Sequence, residues 1–357
     1  MAKPIKVLII APSLDIVGGQ AVQAIRLLEE LRKLPQLEVA FLPINPRLPG
    51  ALRNLQQIKF VRTIVTEIAY IWSLLFQARH CDILHTFSAG YWSFLLAPAP
   101  AILIARLYGK PSILNYRDGQ AEDHLTRWPI AIKIMRLATR IVPPSGFLVD
   151  VFQKFGLKAS FIYNIVDTSQ YRFRERPHPR PVFFHNRGME LLYNVDCTLR
   201  AFALIQQKYP EASLRLAHDG PLRPQMEQLA FGELKLKNVE FLGLVTQQRM
   251  RELYAESDIY LMSPKIDNMP ASILECYASG VPFVSTAVGG VPYIVDNERT
   301  GLLVPPGDHN EMAKQALRLL EEPNLVTRLT QAGKLECGKY AGAEIAAQWI
   351  RLYESLL

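Results

Sequence analysis

Short apolar runs alternate with helix-like segments along this chain, and the alternation is found twice. Nearly continuous apolar strands separated by helices are typical of a parallel sheet that is covered on both faces. The sequence therefore predicts an α/β protein with two doubly wound, Rossmann-like sheets. The predicted strands are residues 5–11, 82–86, 111–116, 140–144 and 160–163, then 181–186, 213–217, 238–243, 258–262, 282–285 and 301–304.

Proline and arginine are concentrated in residues 170–181, between the two halves. Because proline fixes φ and has no N–H to donate, this segment is predicted to be a linker at a domain boundary. A chain of 357 residues suits two domains. We expect an N-terminal domain of residues 1–168 and a second domain of residues 169–342, facing each other across a central cleft. Residues 343–357 are expected to form a helix that crosses back to the first domain.

Positive charge is concentrated in the first half. Residues 1–165 contain 19 Lys and Arg against 10 Asp and Glu, whereas residues 166–357 contain 21 against 23. Such a basic half could face anionic lipid or a phosphorylated acceptor, or be a solvated surface without a partner. The apolar segments 68–76 and 92–108 either pack as helices inside the domain or present apolar side chains to a bilayer interface. Nucleic acid is not expected, since no basic–aromatic motif or zinc-ligand spacing accompanies the charge.

The sequence also indicates a location. No run of eighteen apolar residues is present, so no membrane-spanning helix is expected. The apolar run at the N-terminus is short and lacks a cleavage site of small residues, so we interpret it as the first strand and not as a signal peptide. The four cysteines, Cys81, Cys197, Cys276 and Cys337, are far apart in the sequence. They predict neither a disulfide framework nor a zinc site and favour a reducing cytoplasm.

Residues 263–296 combine several features of a phosphate-binding site. A strand is followed by a helix that starts near Pro270, and the N–H groups and dipole of a helix start suit an anion such as a diphosphate. Glu275, further into this helix, can accept paired hydrogen bonds from a ribose diol. Asp267 precedes it with seven residues between them, and a Gly289–Gly290 turn follows the next strand.

This segment resembles the acidic signature of retaining glycosyltransferase family 4, also called glycosyl transferases group 1. In that family an acidic residue and a glutamate, separated by seven residues, lie on such a strand–loop–helix. The resemblance implies the GT-B fold, a nucleotide diphosphate sugar as donor, retention at the anomeric carbon, and no cofactor or metal requirement. Further segments similar to the family are 144–157, 163–167, 217–222, 281–286, 288–295 and 297–308.

The resemblance assigns roles to residues around the acidic signature. Glu275 would hold the donor ribose, and Asp267 would stand where the family's first glutamate contacts the transferred sugar. Backbone N–H groups of Asn268, Met269 and Ala271 would meet the sugar and the phosphates.

Other donor-binding roles fall on residues from three further turns. The backbone around Leu244 and Val245 would face the base. Gly18 and Gly19 precede a predicted helix over residues 20–34, where glycine permits close backbone approach to the donor phosphates and the acceptor. Arg187 matches the position at which the family has a basic residue on the diphosphate, and its guanidinium suits phosphate oxygens. The alternative is a surface arginine paired with a nearby acid.

Two departures from the family pattern are evident. The lysine that usually follows the basic position is absent from residues 191–194, which read Leu-Leu-Tyr-Asn. Either Arg187 and the helix dipoles suffice, another base such as Lys265 substitutes, or donor affinity is weak. Where the family often has a histidine that contacts the donor sugar or the acceptor, this chain has Arg117, which cannot act as a base at neutral pH.

Four residues remain candidates for polar roles in catalysis. Arg117 and Asp118 follow a predicted strand, and His124 lies one or two turns later. His124 could take the polar role of the missing histidine or be a structural histidine, and Asp118 could be a turn residue. His85, in another strand, is a further candidate, although a histidine at such a place is often structural.

We therefore expect a cytoplasmic, hexosyl-type glycosyltransferase, peripheral at the inner face of a membrane if the basic half binds lipid. Its partners would be a nucleotide-sugar donor and a glycan or lipid-linked acceptor. Alternatives on the same fold are a non-catalytic nucleotide-sugar-binding protein and a nucleotide-sugar epimerase or phosphorylase. An NAD-dependent oxidoreductase is disfavoured because no GxGxxG follows the first strand, and no motif of hydrolases or kinases is present.

Overall fold

The computed structural model describes residues 3–14, 19–48, 50–58 and 61–357. The chain divides into two compact units. Unit 1 comprises residues 1–165 and 342–357, and unit 2 comprises residues 166–341. Each unit is built around one sheet whose strands are all parallel. The predicted architecture of two parallel α/β domains is therefore confirmed.

The sheet of unit 1 has five strands in the order β2-β1-β3-β4-β5. The strands are β1 (Ile5–Ala11), β2 (Leu37–Pro43), β3 (Ile83–Ser88), β4 (Ser112–Tyr116) and β5 (Arg140–Ile141). The helices that follow them are α1 (Gly19–Arg32), α2 (Val61–Ala78), α3 (Tyr91–Leu96), α4 (Pro98–Leu107), α5 (Ala121–Arg127), α6 (Pro129–Met135) and α7 (Gly146–Lys154), with a 3-10 helix at Gly50–Gln57.

Helices cover both faces of this sheet. Val7 and Ile9 of β1 belong to a core cluster with α1, whereas Leu8 and Ile10 belong to a second cluster with α2 and α4. Successive side chains of a strand point to opposite faces, so a strand that is covered on both sides is apolar at every position. This explains the continuous apolar run in the sequence of β1.

The sheet of unit 2 has six strands in the order β11-β10-β9-β6-β7-β8. The strands are β6 (Val182–His185), β7 (Ser213–Ala217), β8 (Val239–Gly243), β9 (Ile259–Met262), β10 (Phe283–Thr286) and β11 (Leu302–Val304). The helices are α8 (Val195–Lys208), α9 (Arg223–Glu227), α10 (Gln247–Glu256), α11 (Ala271–Ser279), α12 (Val291–Ile294), α13 (His309–Glu321) and α14 (Pro323–Cys337), with a π-helix at Gln228–Glu233 and 3-10 helices at Thr168–Gln170 and Gly338–Tyr340.

The C-terminal helix α15 (Gly342–Glu354) returns to unit 1, as predicted. It packs against α1, and its residues Ile345, Trp349 and Tyr353 are buried in the same core cluster as Leu27 of that helix. The sequence of α15 is amphipathic, and this apolar face is what holds the chain end on the first unit.

Two strand predictions for unit 1 differ from the structure. Residues 160–163 are not a strand, although Ser160 and Ile162 donate to the carbonyls of Ile141 and Pro143 at 3.1 Å. Pro143 is followed by a second proline, and neither has an N–H to extend the ladder beyond β5. Strand β2 was missed, because it is a partly exposed edge strand and lacks a continuous apolar run.

The segment rich in proline and arginine is attached to unit 2 and is not a free linker. The guanidinium of Arg176 is buried and donates to the carbonyls of Ser257, Ser279 and Tyr254 at 2.8–3.0 Å. Arg174, Arg176 and Arg180 all form ion pairs with the buried carboxylate of Asp258. The division between the units falls at residues 165 and 166, before this segment.

In the described part of the chain, no helix combines the length and the apolar character that crossing a bilayer requires. The apolar segment 92–108 forms two helices, α3 and α4, which are separated at Ala97 because Pro98 starts the second one. Segment 68–76 lies within α2. Both segments contribute to the core, and both also have exposed apolar residues.

Candidate functional site

The carboxyl ends of the unit 2 strands bring the predicted donor-binding residues to one edge of the sheet. Arg187 follows β6, Leu244 and Val245 follow β8, and Asp267 lies in the loop between β9 and α11. In a parallel sheet, ligands bind at this edge because loops from several strands meet there. The Gly289–Gly290 turn, after β10, reaches the same edge.

The loop from Ser263 to Pro270, here called the acidic loop, is held by bonds from several elements. The hydroxyl of Ser263 donates to the carbonyl of Asn194 at 2.8 Å and is 2.7 Å from the hydroxyl of Thr198. Thr286 of β10 donates to the carbonyl of Pro264 at 2.7 Å. Because buried polar groups of three neighbouring segments are satisfied by this loop, its backbone has one well-defined position.

Gly289 and Gly290 allow the turn after β10 to contact the backbone of the acidic loop directly. The N–H of Gly290 donates to the carbonyl of Asp267 at 2.8 Å. A Cβ at Gly290 would lie 2.7 Å from the carbonyl carbon of Asn268 and closer still to its oxygen. Gly289 has φ +51° and would likewise bring a Cβ against the Asp267 carbonyl. Both positions therefore require glycine, one for space and one also for its conformation.

Arg187 and Asp267 form an ion pair across this edge. The guanidinium also lies over the ring of Tyr193, 4.4 Å from its centroid, which is a favourable cation–π geometry. Burial opposes the charge on Arg187, but Asp267 and the neighbouring tyrosine side chains more than offset this, so its pKa is raised. Burial raises the pKa of Asp267, while Arg187 and the N–H of Asn268 oppose that rise. Both side chains of this ion pair are mostly buried. A bound anion could compete with Asp267 for the guanidinium of Arg187.

Helix α11 starts next to the acidic loop without a side-chain cap. Asn268 and Met269 are buried immediately before it, and Ala271 is its first residue and is half-buried. Glu275 lies further into the helix and is also half-buried. Its carboxylate has no hydrogen-bond or ion-pair partner within the described ranges of the chain. An uncapped helix start suits an anion, and an unpaired carboxylate nearby suits hydroxyl donors.

Residues 191–194, which lack the family's lysine, lie beside the acidic loop. The N–H of Lys265 donates to the carbonyl of Leu192 at 2.7 Å. The side chain of Lys265 is exposed, and no ion pair of the described residues involves it. The backbone of Lys265 therefore lies next to the segment from which the expected lysine is absent.

The turn from His218 to Gly220, after β7, also lies at this edge. It belongs to segment 217–222, which is similar to the family but for which no role was predicted. Its backbone packs on Met189, since a Cβ at Gly220 would lie 2.7 Å from the Met189 carbonyl carbon. His218 has φ +110° and donates its N–H to the carbonyl of Gly243 at 2.7 Å. Tyr193, beneath Arg187, was also missed. The turn could have been predicted as part of the site, because it contains a glycine and follows a strand. A single tyrosine has no such pattern in the sequence.

In unit 1, Arg117 lies at the carboxyl end of β4 in a polar chain. Its guanidinium donates to the side-chain oxygens of Asn115, at 3.1 Å, and Asn164, and lies 4.9 Å from the centroid of Phe87. Burial lowers the pKa of Arg117 to about 9, so it remains a cation at neutral pH. Arg117 can therefore bind an anionic or hydroxyl-rich group but cannot accept a proton.

His85 extends this polar chain into the core. It is fully buried, with Nδ1 2.7 Å from the hydroxyl of Tyr353 and Nε2 3.0 Å from the amide nitrogen of Asn115. Since Arg117 is only a donor, the Asn115 oxygen accepts from it and the Asn115 NH₂ donates to Nε2, which leaves the His85 proton on Nδ1. Burial, with Arg117 nearby, lowers the pKa of His85 to about 3. His85 is therefore a neutral structural residue.

His124 and Asp118 make internal bonds in unit 1. His124 is fully buried, with Nδ1 2.9 Å from the hydroxyl of Tyr116, and burial lowers its pKa. The two oxygens of Asp118 accept from the N–H groups of Gly90, at 3.0 Å, and Gln120, at 2.9 Å. These contacts position the turn after β4. The predicted catalytic roles of His124 and Asp118 stay predictions.

The glycine pair of the first turn is described only in part. Gly18 lies outside the described residues. Gly19 is the first residue of α1, and a Cβ there would have no heavy atom within 4 Å. In the described structure, no group of three or more His, Cys, Asp or Glu side chains is arranged to hold a metal ion.

A cavity of about 570 Å³ opens near the carboxyl ends of β1 and β2. Its lining includes Arg47, Arg62, Glu67 and Ser93. Burial raises the pKa of Glu67. This cavity could not be predicted from the sequence, because its residues come from separate segments and share no motif.

Family profiles match both halves of the chain. The profile described as Glycosyltransferase Family 4 matches residues 17–170, and the one described as Glycosyl transferases group 1 matches residues 181–322. Together they include strands β2–β5 of unit 1 and all six strands of unit 2.

Two relatives illustrate the sequence similarity. An alpha-D-kanosaminyltransferase from Streptomyces kanamyceticus is 25% identical over 78% of this chain and 76% of its own length. The sulfoquinovosyl transferase SQD2 of Arabidopsis thaliana is 23% identical over 72% of this chain. The chain spans about half the length of SQD2, 54%.

Solved structures show the same fold over nearly the whole chain. HepE from Anabaena in complex with UDP superposes with a TM-score of 0.78 at 18% identity, covering 99% of this chain and 100% of HepE. HepE is also known with UDP-glucose. Sucrose-phosphate synthase from Thermosynechococcus elongatus superposes with a TM-score of 0.76 at 17% identity, covering 99% of both chains.

Proposed function

Since this chain belongs to the family 4 glycosyltransferases, the glycosyl transferases group 1, and has the GT-B fold, we propose that it is a retaining hexosyltransferase. It would move a sugar from a nucleotide diphosphate donor to an acceptor hydroxyl in glycan, exopolysaccharide or glycolipid synthesis, without a metal. The observation that carries this proposal is the unpaired Glu275 carboxylate, one helix turn inside an uncapped helix start that adjoins the Arg187–Asp267 pair.

The donor diphosphate would lie at the start of α11. Its charge is met by the helix dipole, the N–H groups near Ala271 and the guanidinium of Arg187. Lys265 would supply the charge of the absent family lysine. The Arg187–Asp267 pair is compatible with this arrangement, because a phosphate can replace Asp267 as the partner of the guanidinium. The Asp267 carboxylate would then accept hydrogen bonds from the sugar hydroxyls.

The nucleoside and the sugar would be held by different elements. Glu275 accepts hydrogen bonds from the ribose diol, and the backbone after β8, at Leu244 and Val245, faces the base. The N–H groups of Asn268, which bonds to the Asp267 carboxylate in the structure, and of Met269 would meet the transferred sugar. HepE, with UDP and with UDP-glucose, supports a nucleotide-sugar ligand for this fold.

Transfer with retention requires no nucleophile from the protein. The bond between the anomeric carbon and the leaving phosphate oxygen breaks, and the acceptor oxygen bonds to that carbon on the same face. The acceptor hydroxyl proton passes to the leaving phosphate. Arg187 and the start of α11 stabilise the developing charge on the diphosphate, which is the electrostatic part of catalysis in such a site.

The acceptor would bind unit 1. The cavity that contains Arg47, Arg62 and Glu67 offers both charge signs to a glycan or a lipid-linked acceptor. Arg117 could bind an acceptor hydroxyl or phosphate but not deprotonate it. The cysteines of the chain are all free and buried, which supports a reducing, cytoplasmic location.

A second function on this fold is a nucleotide-sugar-binding protein without transferase activity. The observations that favour it are the absence of the family's lysine from residues 191–194 and the arginine at position 117. Product formation separates the two functions: a binding protein is stabilised by a nucleotide sugar but makes no glycoside. An epimerase would convert the donor without any acceptor.

The test is a thermal-shift panel of UDP-, GDP-, ADP- and CMP-sugars, followed by turnover with the stabilising donor. A donor at a hundred times its Kd stabilises the native state by about 2.7 kcal/mol. We expect Glu275→Gln to weaken donor binding about tenfold to a hundredfold, because a charge-assisted bond contributes about 1.5–3 kcal/mol. Glu211→Gln is the matched control, since Glu211 is an exposed acid before β7, at the opposite edge of the same sheet. Equal donor affinity in both variants would refute the assignment.

A further inference from the structure

The outer face of α2 is apolar along its whole length. Ile64, Ile68, Trp72 and Phe76 recur every four residues, and each is between 57% and 75% exposed. Residues four apart lie on one side of a helix, so these side chains form a single stripe. The opposite side of the helix is buried through Tyr70, Leu74 and Ala78.

Helix α4 extends this stripe. Leu103 and Leu107 are exposed, again four residues apart. The two helices pack together on the same face of the sheet, with the hydroxyl of Tyr70 donating to the carbonyl of Ala97 at 2.9 Å and that of Tyr108 to Leu75 at 3.2 Å. Their exposed sides therefore form one surface, which we call the α2–α4 face. A contiguous apolar surface of this kind marks an interaction site.

The exposed charged residues on α2 and α4 and at their ends are cationic. Arg62 and Arg79 are exposed at the two ends of α2, and Arg106 is exposed on α4. The guanidinium of Arg79 lies 4.4 Å from the centroid of Phe76, so charge and apolar surface adjoin. Neither helix has an acidic residue among its exposed positions, since Glu67 is half-buried.

We propose that the α2–α4 face docks on the surface of an anionic lipid bilayer. Aromatic and branched apolar side chains with flanking arginines match the acyl–headgroup boundary, where apolar burial and attraction to anionic headgroups add. A second copy of the chain fits less well, because two such faces would place arginines against arginines. The helix lies on the membrane and does not cross it.

Docking would also orient the acceptor cavity. Arg62, Thr63, Thr66 and Glu67 of α2 line that cavity, while the stripe lies on the same helix. This consequence rests on the proposed function, because it treats the cavity as the acceptor site. Lipid binding itself does not depend on transferase activity, so the two can fail separately.

The experiment is co-sedimentation of the full chain with vesicles of equal parts phosphatidylglycerol and phosphatidylcholine. We expect binding that falls as salt is raised and is weak on phosphatidylcholine alone. The Trp72→Ser/Phe76→Ser variant should bind at least about tenfold more weakly, because two large side chains no longer become buried. The matched control is Phe231→Ser/Leu335→Ser, which removes two exposed apolar side chains from unit 2 and should bind like the wild type.

Unchanged thermal unfolding of the Trp72→Ser/Phe76→Ser variant verifies its fold, as expected for exposed positions. Fluorescence quenching by brominated lipids supplies a second measurement, which should be lost in Trp72→Phe if that indole contacts acyl chains. The proposal is overturned if the stripe variant sediments like the wild type, or if both double variants lose binding equally. It is also overturned if vesicles do not bind while light scattering shows a dimer that the stripe variant abolishes.

Discussion

Replacing Gly290 by alanine tests whether close contact between two turns positions the acidic loop. Gly290 has φ −84°, which alanine adopts without strain, so only the added methyl group matters. That methyl would lie 2.7 Å from the carbonyl carbon of Asn268 and nearer to its oxygen. Backbone atoms cannot rotate away, so the turn or the acidic loop must move and the bond from Gly290 to the Asp267 carbonyl must lengthen.

The expected cost follows from this geometry. Overpacking a well-packed site by a methyl group costs about 1–3 kcal/mol. In a domain of this size, each kcal/mol lowers Tm by about 2–4 °C, which predicts a fall of about 2–12 °C. Because the displaced atoms belong to Asp267 and Asn268, which are assigned to the transferred sugar, donor affinity should fall together with stability.

Gly338→Ala is the matched control for Gly290→Ala. Gly338 has φ −59°, and an added Cβ there would have no heavy atom within 4 Å. The same change should therefore be neutral or stabilise by up to about 1 kcal/mol, since alanine restricts the unfolded chain. Thermal unfolding with and without the donor measures both effects. The reasoning is refuted if Gly290→Ala unfolds and binds donor like the wild type, or if Gly338→Ala loses as much stability.

Two further predictions concern buried charges. Arg187→Met should cost about 3–5 kcal/mol of stability, because it leaves the Asp267 carboxylate buried without its partner, and adding Asp267→Asn should restore part of this. Since burial raises the pKa of Asp267 above 3.8, the Arg187→Met protein should lose stability as pH rises through that pKa, and urea titrations that show no such slope would contradict this. Asp258→Asn should also cost about 3–5 kcal/mol, whereas Asp196→Asn, in an exposed pair, should cost less than about 1 kcal/mol. The pKa of Asp258 is lowered because hydrogen bonds from Arg180 and Arg174 outweigh burial, so its contribution should persist above pH 3.8 and disappear as pH falls through the lowered pKa.

The architecture of this protein could be predicted because strand and helix patterns are local. A strand buried on both faces is almost continuously apolar. Strand β1 is apolar and buried from Val7 to Ala11, and all four residues of β9 are buried. The acidic loop, the start of α11 and the Gly289–Gly290 turn could also be predicted from the sequence, because a strand–loop–helix and a glycine pair are short-range sequence patterns. Strand β2 was missed because its partly exposed edge position removes that signal.

Tertiary structure alone decided which distant groups meet. Arg187 and Asp267 are 80 positions apart, and only the parallel order of β6 and β9 brings their turns together. In the same way, segment 170–181, which the sequence predicts to be a linker, is bound to unit 2 through the buried Asp258. A carboxylate removed from water needs cationic partners, and Arg174 and Arg180 of this segment supply them. The second half of helix α2 is a further example. Residues 68–76 are apolar on nearly every side in the sequence, and packing on the sheet determined which of these side chains are buried and which are exposed.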